Sequence, residues 1–172
     1  MFYKEYREEE AHEKHYPVRR RKAVRAVILK EDKILLIKTN QDIYAFPGGG
    51  VQSGERDDEG VIREVAEETG YTGCAVHEKV GAVVESNVDH KKTDQLFEMV
   101  SDYYRCELIH EKKVPQQLED YEQDEEYDPQ WVKIEDALRQ NESERGAQEA
   151  RWLKREIFVL KMLQKQLTEG TR

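Results

Sequence analysis

Three features of the 172-residue sequence predict a single α/β domain, a mixed sheet held between helices in an α/β/α arrangement. Short apolar runs rich in β-branched residues recur along the chain, an acidic helix with an apolar stripe interrupts them, and a long amphipathic helix closes it. The hydrophobic fraction is 37% and the charged fraction 38%, yet the apolar residues gather in periodic segments, as a folded core requires. The length suffices for one sizeable core, and no linker divides it. We therefore divide the chain into a charged N-terminal arm over 1–19, one domain over 20–167 and a short tail over 168–172.

Taken in order, residues 1–20 are charged and tyrosine-rich and suit a helix or an extended arm on the domain edge. Arg19, Arg20, Arg21 and Lys22 then form a basic cluster that could meet a substrate phosphate but reads first as a solvated strand entrance, and it is assigned no role in the site. Residues 23–29 and 34–37 are apolar runs separated by Lys30, Glu31, Asp32 and Lys33, the pattern of a β-hairpin. Tyr44, Ala45 and Phe46 make a brief strand whose aromatic side chains belong first to core or rim, with stacking on a base as the alternative. Pro47 and the glycines Gly48, Gly49 and Gly50 come next as a turn that lets backbone come close to other groups, to cradle phosphates or to route the chain.

A helix is predicted to begin near Asp57 or Asp58, where acids complement the positive end of the helix dipole, and to stop at Gly70. Val61 and Val65 give it an apolar side for packing on a sheet. Glu64, Glu67 and Glu68, spaced i, i+3 and i+4, share the other side and repel one another. Something positive belongs among them. Carboxylate oxygens without nearby His or Cys favour magnesium or manganese, so these three residues are the candidate metal ligands. Arg63 stands beside the acidic face and is placed to pair with Glu55, holding the glycine loop to the helix.

Further on, residues 80–84 and 96–106 read as strands around a polar loop, in which His90, Lys91 and Lys92 are solvated or meet a substrate phosphate. Residues 111–128, acidic and containing Pro115, read as a mobile loop. Residues 130–134 return to strand character and 135–140 begin a helix. Over 147–167, Leu153, Ile157, Leu160 and Leu167 recur at helical spacing, so a terminal helix covers the chain's own sheet in a monomer or meets a second copy in a homodimer.

Composition narrows the function classes. A net charge of −9 excludes an extended nucleic-acid surface but admits a small phosphorylated substrate beside a cation. Two cysteines, Cys74 and Cys106, form no disulfide framework or metal motif. No run is apolar enough for a secretion signal or a membrane span, and a cytoplasmic location is expected.

The spacing Gly49, Glu55, Arg63, Glu64, Val65, Ala66, Glu67, Glu68, Thr69, Gly70 and Tyr71 resembles the signature of the Nudix hydrolases. Tyr71 stands where the family carries an aliphatic residue, and Gln52 where many members have an acid. The resemblance implies the α/β/α sandwich and metal-dependent hydrolysis of a nucleoside diphosphate linked to another moiety. Gly48, Gly49 and Gly50 would meet substrate, and Glu67 and Glu68 would act in catalysis as well as in metal binding. In many members a loop acid outside the signature assists as the base. Here Glu125 and Glu126, among Asp124 to Asp128, are the candidates.

The proline that ADP-ribose-directed members often carry has no counterpart between Tyr71 and Lys113. Acidic balance disfavours RNA decapping. The expected substrate is a small nucleotide such as a nucleoside triphosphate, with nucleotide sugars, ADP-ribose and dinucleoside polyphosphates as alternatives. Intact carboxylates argue against a nucleotide sensor without catalysis.

Overall fold

Period-two burial along the second strand shows how one sheet carries two cores. In a strand, successive side chains point to opposite faces. In β2 (Val18–Lys30), Val24, Ala26 and Ile28 enter one apolar cluster, and Val27 enters another. In β3 (Lys33–Lys38), Leu35 joins the first cluster while Ile34 and Leu36 join the second. Helix α1 (Asp57–Thr69) closes the first through Val61 and Val65. Helices α3 (Ile134–Ser143) and α4 (Arg151–Gly170) close the second through Ile134, Leu138, Val159, Leu160 and Leu163. This is the expected layering of helix, sheet and helix. The computed structural model describes residues 1–7, 16–89, 95–143 and 151–170.

The remaining strands are β1 (Phe2–Arg7), β4 (Tyr44–Ala45), β5 (Gly48–Gly50), β6 (Cys74–Asp89), β7 (Gln95–Leu108) and β8 (Asp128–Lys133). Their order is β1-β6-β7-β2-β3-β4, with β5 also on β2 and β8 on β3. The sheet is mixed. Strands β1 and β6 run parallel, as do β2 and β7, whereas β6 and β7 are antiparallel. The hairpin of β2 and β3 pairs Leu29 with Ile34 around a turn in which Glu31 takes a positive φ.

Several elements extend beyond their sequence signals. Residues 2–7 join the sheet edge as β1, and Phe2 enters the core against Tyr103 and Phe158. Its ring fits because Gly81 lies opposite; a Cβ there would stand 2.2 Å from the ring. Strands β6 and β7 are longer than the apolar runs that announced them, since polar residues at their ends continue the same ladder. Leu167 is 48% exposed, so the apolar stripe of α4 ends a turn earlier, at Leu163. The start of the terminal helix at 147 and the residues His90, Lys91 and Lys92 lie outside the described residues.

The segment read as a mobile loop is anchored instead. A helix leaves its last carbonyls without intrahelical partners, and this segment supplies donors to them. Gln117 donates its backbone N–H to the Glu67 carbonyl at 2.8 Å, and Val114 donates to Gly70 at 2.9 Å. The Gln116 amide donates to the Glu68 and Tyr127 carbonyls. The segment then forms a short helix, α2 (Asp120–Asp124), whose capping box is closed by Glu119 and Glu122. Lys22 and the Tyr104 hydroxyl similarly hold Asp57 at the start of α1. Among the described residues no helix is long and apolar enough to cross a membrane.

Candidate active site

The glycine strand brings backbone into contact with acid side chains, and its residue types reflect that crowding. Gly48 has φ 143°, and a Cβ on it would lie 2.0 Å from the Val24 carbonyl oxygen. A Cβ on Gly49 would lie 2.7 Å from the Glu64 carboxylate. Backbone and a positive φ exclude a side chain at Gly48, whereas one at Gly49 would displace the Glu64 carboxylate. The strand is fixed by pairing with Ala23, Val24 and Arg25 of β2 and by the Ala26 N–H donating to the Pro47 carbonyl at 2.8 Å.

Helix α1 presents its acids to this strand. Glu68 is 3% exposed, and its Oε2 accepts the Gly48 N–H at 2.9 Å. Burial pushes the Glu68 carboxyl well above the ordinary carboxylate range; the Gly48 N–H and Arg25 oppose the shift, whereas Glu64 and Glu122 reinforce it. Glu64 is 7% exposed and also raised, chiefly by burial, with Arg63 opposing and Glu67 and Glu122 adding repulsion. One helix therefore holds two buried carboxyls, both raised chiefly by burial, with the Glu64 charge adding to the rise at Glu68.

Arg63 organises the rest. Its Nε and Nη2 donate to the two oxygens of Glu55 at 2.7 and 3.1 Å, a forked geometry suited to guanidinium and carboxylate. Nη2 also donates to the Gly50 carbonyl, and Nη1 to Glu64 at 2.7 Å and Glu67 at 3.0 Å. Glu55 in turn accepts the Gln52 N–H at 2.8 Å, and Arg63 holds its carboxyl below the ordinary range against a smaller effect of burial. The structure thus brings Gly48, Gly49, Gly50, Glu55, Arg63, Glu64, Glu67 and Glu68 into one cluster.

The donor set suits a hard divalent cation. Among the described residues no three acids converge into a finished cage, since Arg63 draws Glu64 and Glu67 to itself. One guanidinium nevertheless faces Glu55, Glu64 and Glu67, with buried Glu68 alongside. A cation would offset the burial and the neighbouring acidic charge that raise Glu64 and Glu68, and carboxylate oxygens are the ligands that magnesium and manganese take. The two cysteines lie elsewhere, in the apolar cluster under α1.

A cleft of about 320 Å³ opens at Gly48–Gly50. Arg21 and Arg25 line it from β2, Tyr121, Glu125 and Tyr127 from the α2 segment, and Trp152 and Arg155 from α4. A larger hollow of about 640 Å³ lies beside β1 and includes no residue of the glycine strand, so size alone would misplace the site. Of the two loop acids singled out in the sequence, Glu125 is half-buried on the cleft wall and raised by burial and by Glu122. Glu126 is exposed, with φ 53°.

Several cleft residues carried no site assignment from the sequence. Arg25 interrupts the apolar run 23–29, and that interruption was the available signal. Arg21 was hidden within the basic cluster, but its guanidinium reaches over Gly50. Buried Glu122 repels Glu64 and Glu68 while also accepting the Tyr121 hydroxyl at 2.8 Å and the Glu119 N–H at 2.9 Å. Tyr127, Trp152 and Arg155 come from segments whose sequence shows only a loop and a helix. The aromatic at position 71 is accommodated by Trp131, whose indole N–H donates to the Tyr71 hydroxyl at 3.2 Å and whose ring meets it edge-on.

Comparison with known proteins agrees with this arrangement. A 52-residue stretch, 28% of this chain, is 48% identical to an ADP-ribose pyrophosphatase of Methanocaldococcus jannaschii. Over 120 residues, 64% of the chain, identity is 32% to diphosphoinositol polyphosphate phosphohydrolase 3-alpha of Mus musculus. These matches span 31% and 60% of the two relatives' own lengths. The fold is similar to that of a C. elegans Ap4A hydrolase in a binary complex, with TM-score 0.50 and 20% identity over 78% of this chain and 93% of that one. The family model described as NUDIX domain matches residues 19–155, and with most of its length inside that match the chain belongs to the Nudix family.

Proposed function

We propose that the protein hydrolyses a phosphoanhydride bond in a nucleoside diphosphate linked to a further moiety, with a nucleoside triphosphate as substrate and Mg2+ as the cation. The observation that carries this reading is the pair of buried carboxyls, Glu64 and Glu68, set directly against the glycine strand. Glu64, Glu67 and Glu68 would hold the cation. When bound, it neutralises charge on the diphosphate and acidifies the attacking water. The glycine strand lets phosphate oxygens approach the acids, while Arg63 and Glu55 fix the strand to the helix. Glu125, on the cleft wall with a raised carboxyl, takes the water proton as base.

The cleft supports a nucleotide because arginines and aromatic rings share its lining, one for phosphate and the other for a stacked base. A second reading, ADP-ribose, is favoured by the 48% identity to the archaeal pyrophosphatase, although that match covers 28% of this chain. Incubating the purified protein and Mg2+ with nucleoside triphosphates, nucleotide sugars, ADP-ribose and dinucleoside polyphosphates, with products identified, tests the proposal. Nucleoside monophosphate and pyrophosphate from a triphosphate are expected. Turnover of none of these compounds would refute the hydrolase reading.

A further inference from the structure

Arg21 and Arg25 stand four residues apart on β2, on one face, with Ala23 between them. Both line the cleft at Gly48–Gly50. Neither forms an ion pair with a carboxylate among the described residues, although the chain carries net charge −9. Their neighbours differ: Arg20 meets Glu98, Lys22 meets Asp57 and Asp102, and Arg155 in the same cleft is neutralised by Glu85 and Glu156. The Arg25 Nη1 donates to the Phe46 and Gly48 carbonyls, at 3.4 and 3.0 Å, and its Nε is buried without a partner. A buried guanidinium N–H left unmade is costly unless an acceptor arrives.

We propose that Arg21 and Arg25 form an anion subsite that takes a phosphate beyond the two spanned at the acidic helix, and so selects nucleoside polyphosphates over two-phosphate conjugates. The subsite lies across the glycine strand from Glu64 and Glu68 and outside residues 49–71. Gly50 makes room for it, since a Cβ there would stand 3.3 Å from the Arg21 Nη2. The acids attract a cation, and the arginines, with no carboxylate at ion-pair distance among the described residues, attract the end of the phosphate chain that carries most negative charge. The proposal rests on the hydrolase reading for its substrate class, but the anion site itself does not need turnover.

The test compares ATP with ADP-ribose, which share a base and differ in the group attached to the second phosphate. Charge-assisted hydrogen bonds of this kind correspond to about a tenfold or larger effect. In the wild type, kcat/KM should favour ATP. In Arg21→Gln, whose side chain is exposed and whose loss should not disturb folding, the ATP to ADP-ribose ratio should fall about tenfold, mainly through KM; Arg25→Lys, which keeps the charge but not the fork, should also lower it. Calorimetric binding of inorganic tripolyphosphate, with a metal chelator present, should weaken about tenfold in Arg21→Gln. An unchanged ratio, a wild type that prefers ADP-ribose, or tripolyphosphate binding equal in variant and wild type would overturn the subsite. Absence of wild-type turnover with tripolyphosphate binding still lost in Arg21→Gln would refute the hydrolase reading while upholding the subsite.

Discussion

Glu68→Gln is expected to lower nucleoside triphosphate turnover by about a thousandfold or more, while the cation-free protein keeps its melting temperature or gains a little. Loss of a ligand to a catalytic cation removes several kcal/mol of charge stabilisation at the transition state, and each 1.4 kcal/mol is about tenfold in rate. The stability sign is worked from the same residue. Burial raises the Glu68 carboxyl above its ordinary range, so its contribution to stability is fully present below the unfolded pKa and is lost as pH rises from there through the raised folded pKa. A neutral amide of the same shape still accepts the Gly48 N–H through its oxygen and carries no such cost. Steady-state kinetics and thermal unfolding on one preparation check both halves. An inactive variant that also melts far lower would point to misfolding.

Glu156→Ala is expected to be the most damaging single substitution for stability, although Glu156 touches none of the α1 acids. Glu156 is 0% exposed, and Arg155 reaches its Oε1 through Nε at 3.0 Å and Nη2 at 2.8 Å. Arg155 also donates to Glu85 of β6 at 2.6 Å, and the Glu156 Oε2 accepts the Phe46 N–H at 2.9 Å. One α4 carboxylate thus balances a buried guanidinium and fixes the chain just before the glycine strand. Truncation leaves Arg155 with half its counter-charge and Phe46 with an unmet N–H. Breaking a buried pair outright costs about 3–5 kcal/mol; Glu85 stays on Arg155, so the loss falls at the low end, about 3 kcal/mol, which for a domain of this size is roughly 10 °C in melting temperature. Differential scanning calorimetry reads it, and a loss below about 1 kcal/mol would show that the network is not a stability element.

The parts of the molecule legible in the sequence are those set by local spacing. The hairpin of β2 and β3, the extent of α1 and its Gly70 stop all come from period, capping and turn chemistry carried within a few residues. The Glu55 and Arg63 contact is likewise short in sequence, eight residues apart, and lies on adjoining elements. The cleft is different. Arg21 lies more than a hundred residues from Glu125 and Trp152, and only the path β1-β6-β7-β2-β3-β4 with α4 folded across it places them together. Phe2 is hidden for the same reason: within a charged N-terminal stretch it becomes core only through the parallel pairing of β1 with β6. The anchored segment after β7 looked like a loop because its order comes from free carbonyls at the end of α1, which no local pattern announces.

The cation site proposed at Glu64, Glu67 and Glu68, beside the glycine strand, is tested most directly by manganese binding. Electron paramagnetic resonance on the wild type and on Glu64→Gln and Glu68→Gln reads the ion without requiring a substrate. Saturable binding is predicted in the wild type, competed by magnesium and weakened at least about tenfold in each variant. Equal binding in all three proteins would contradict the site.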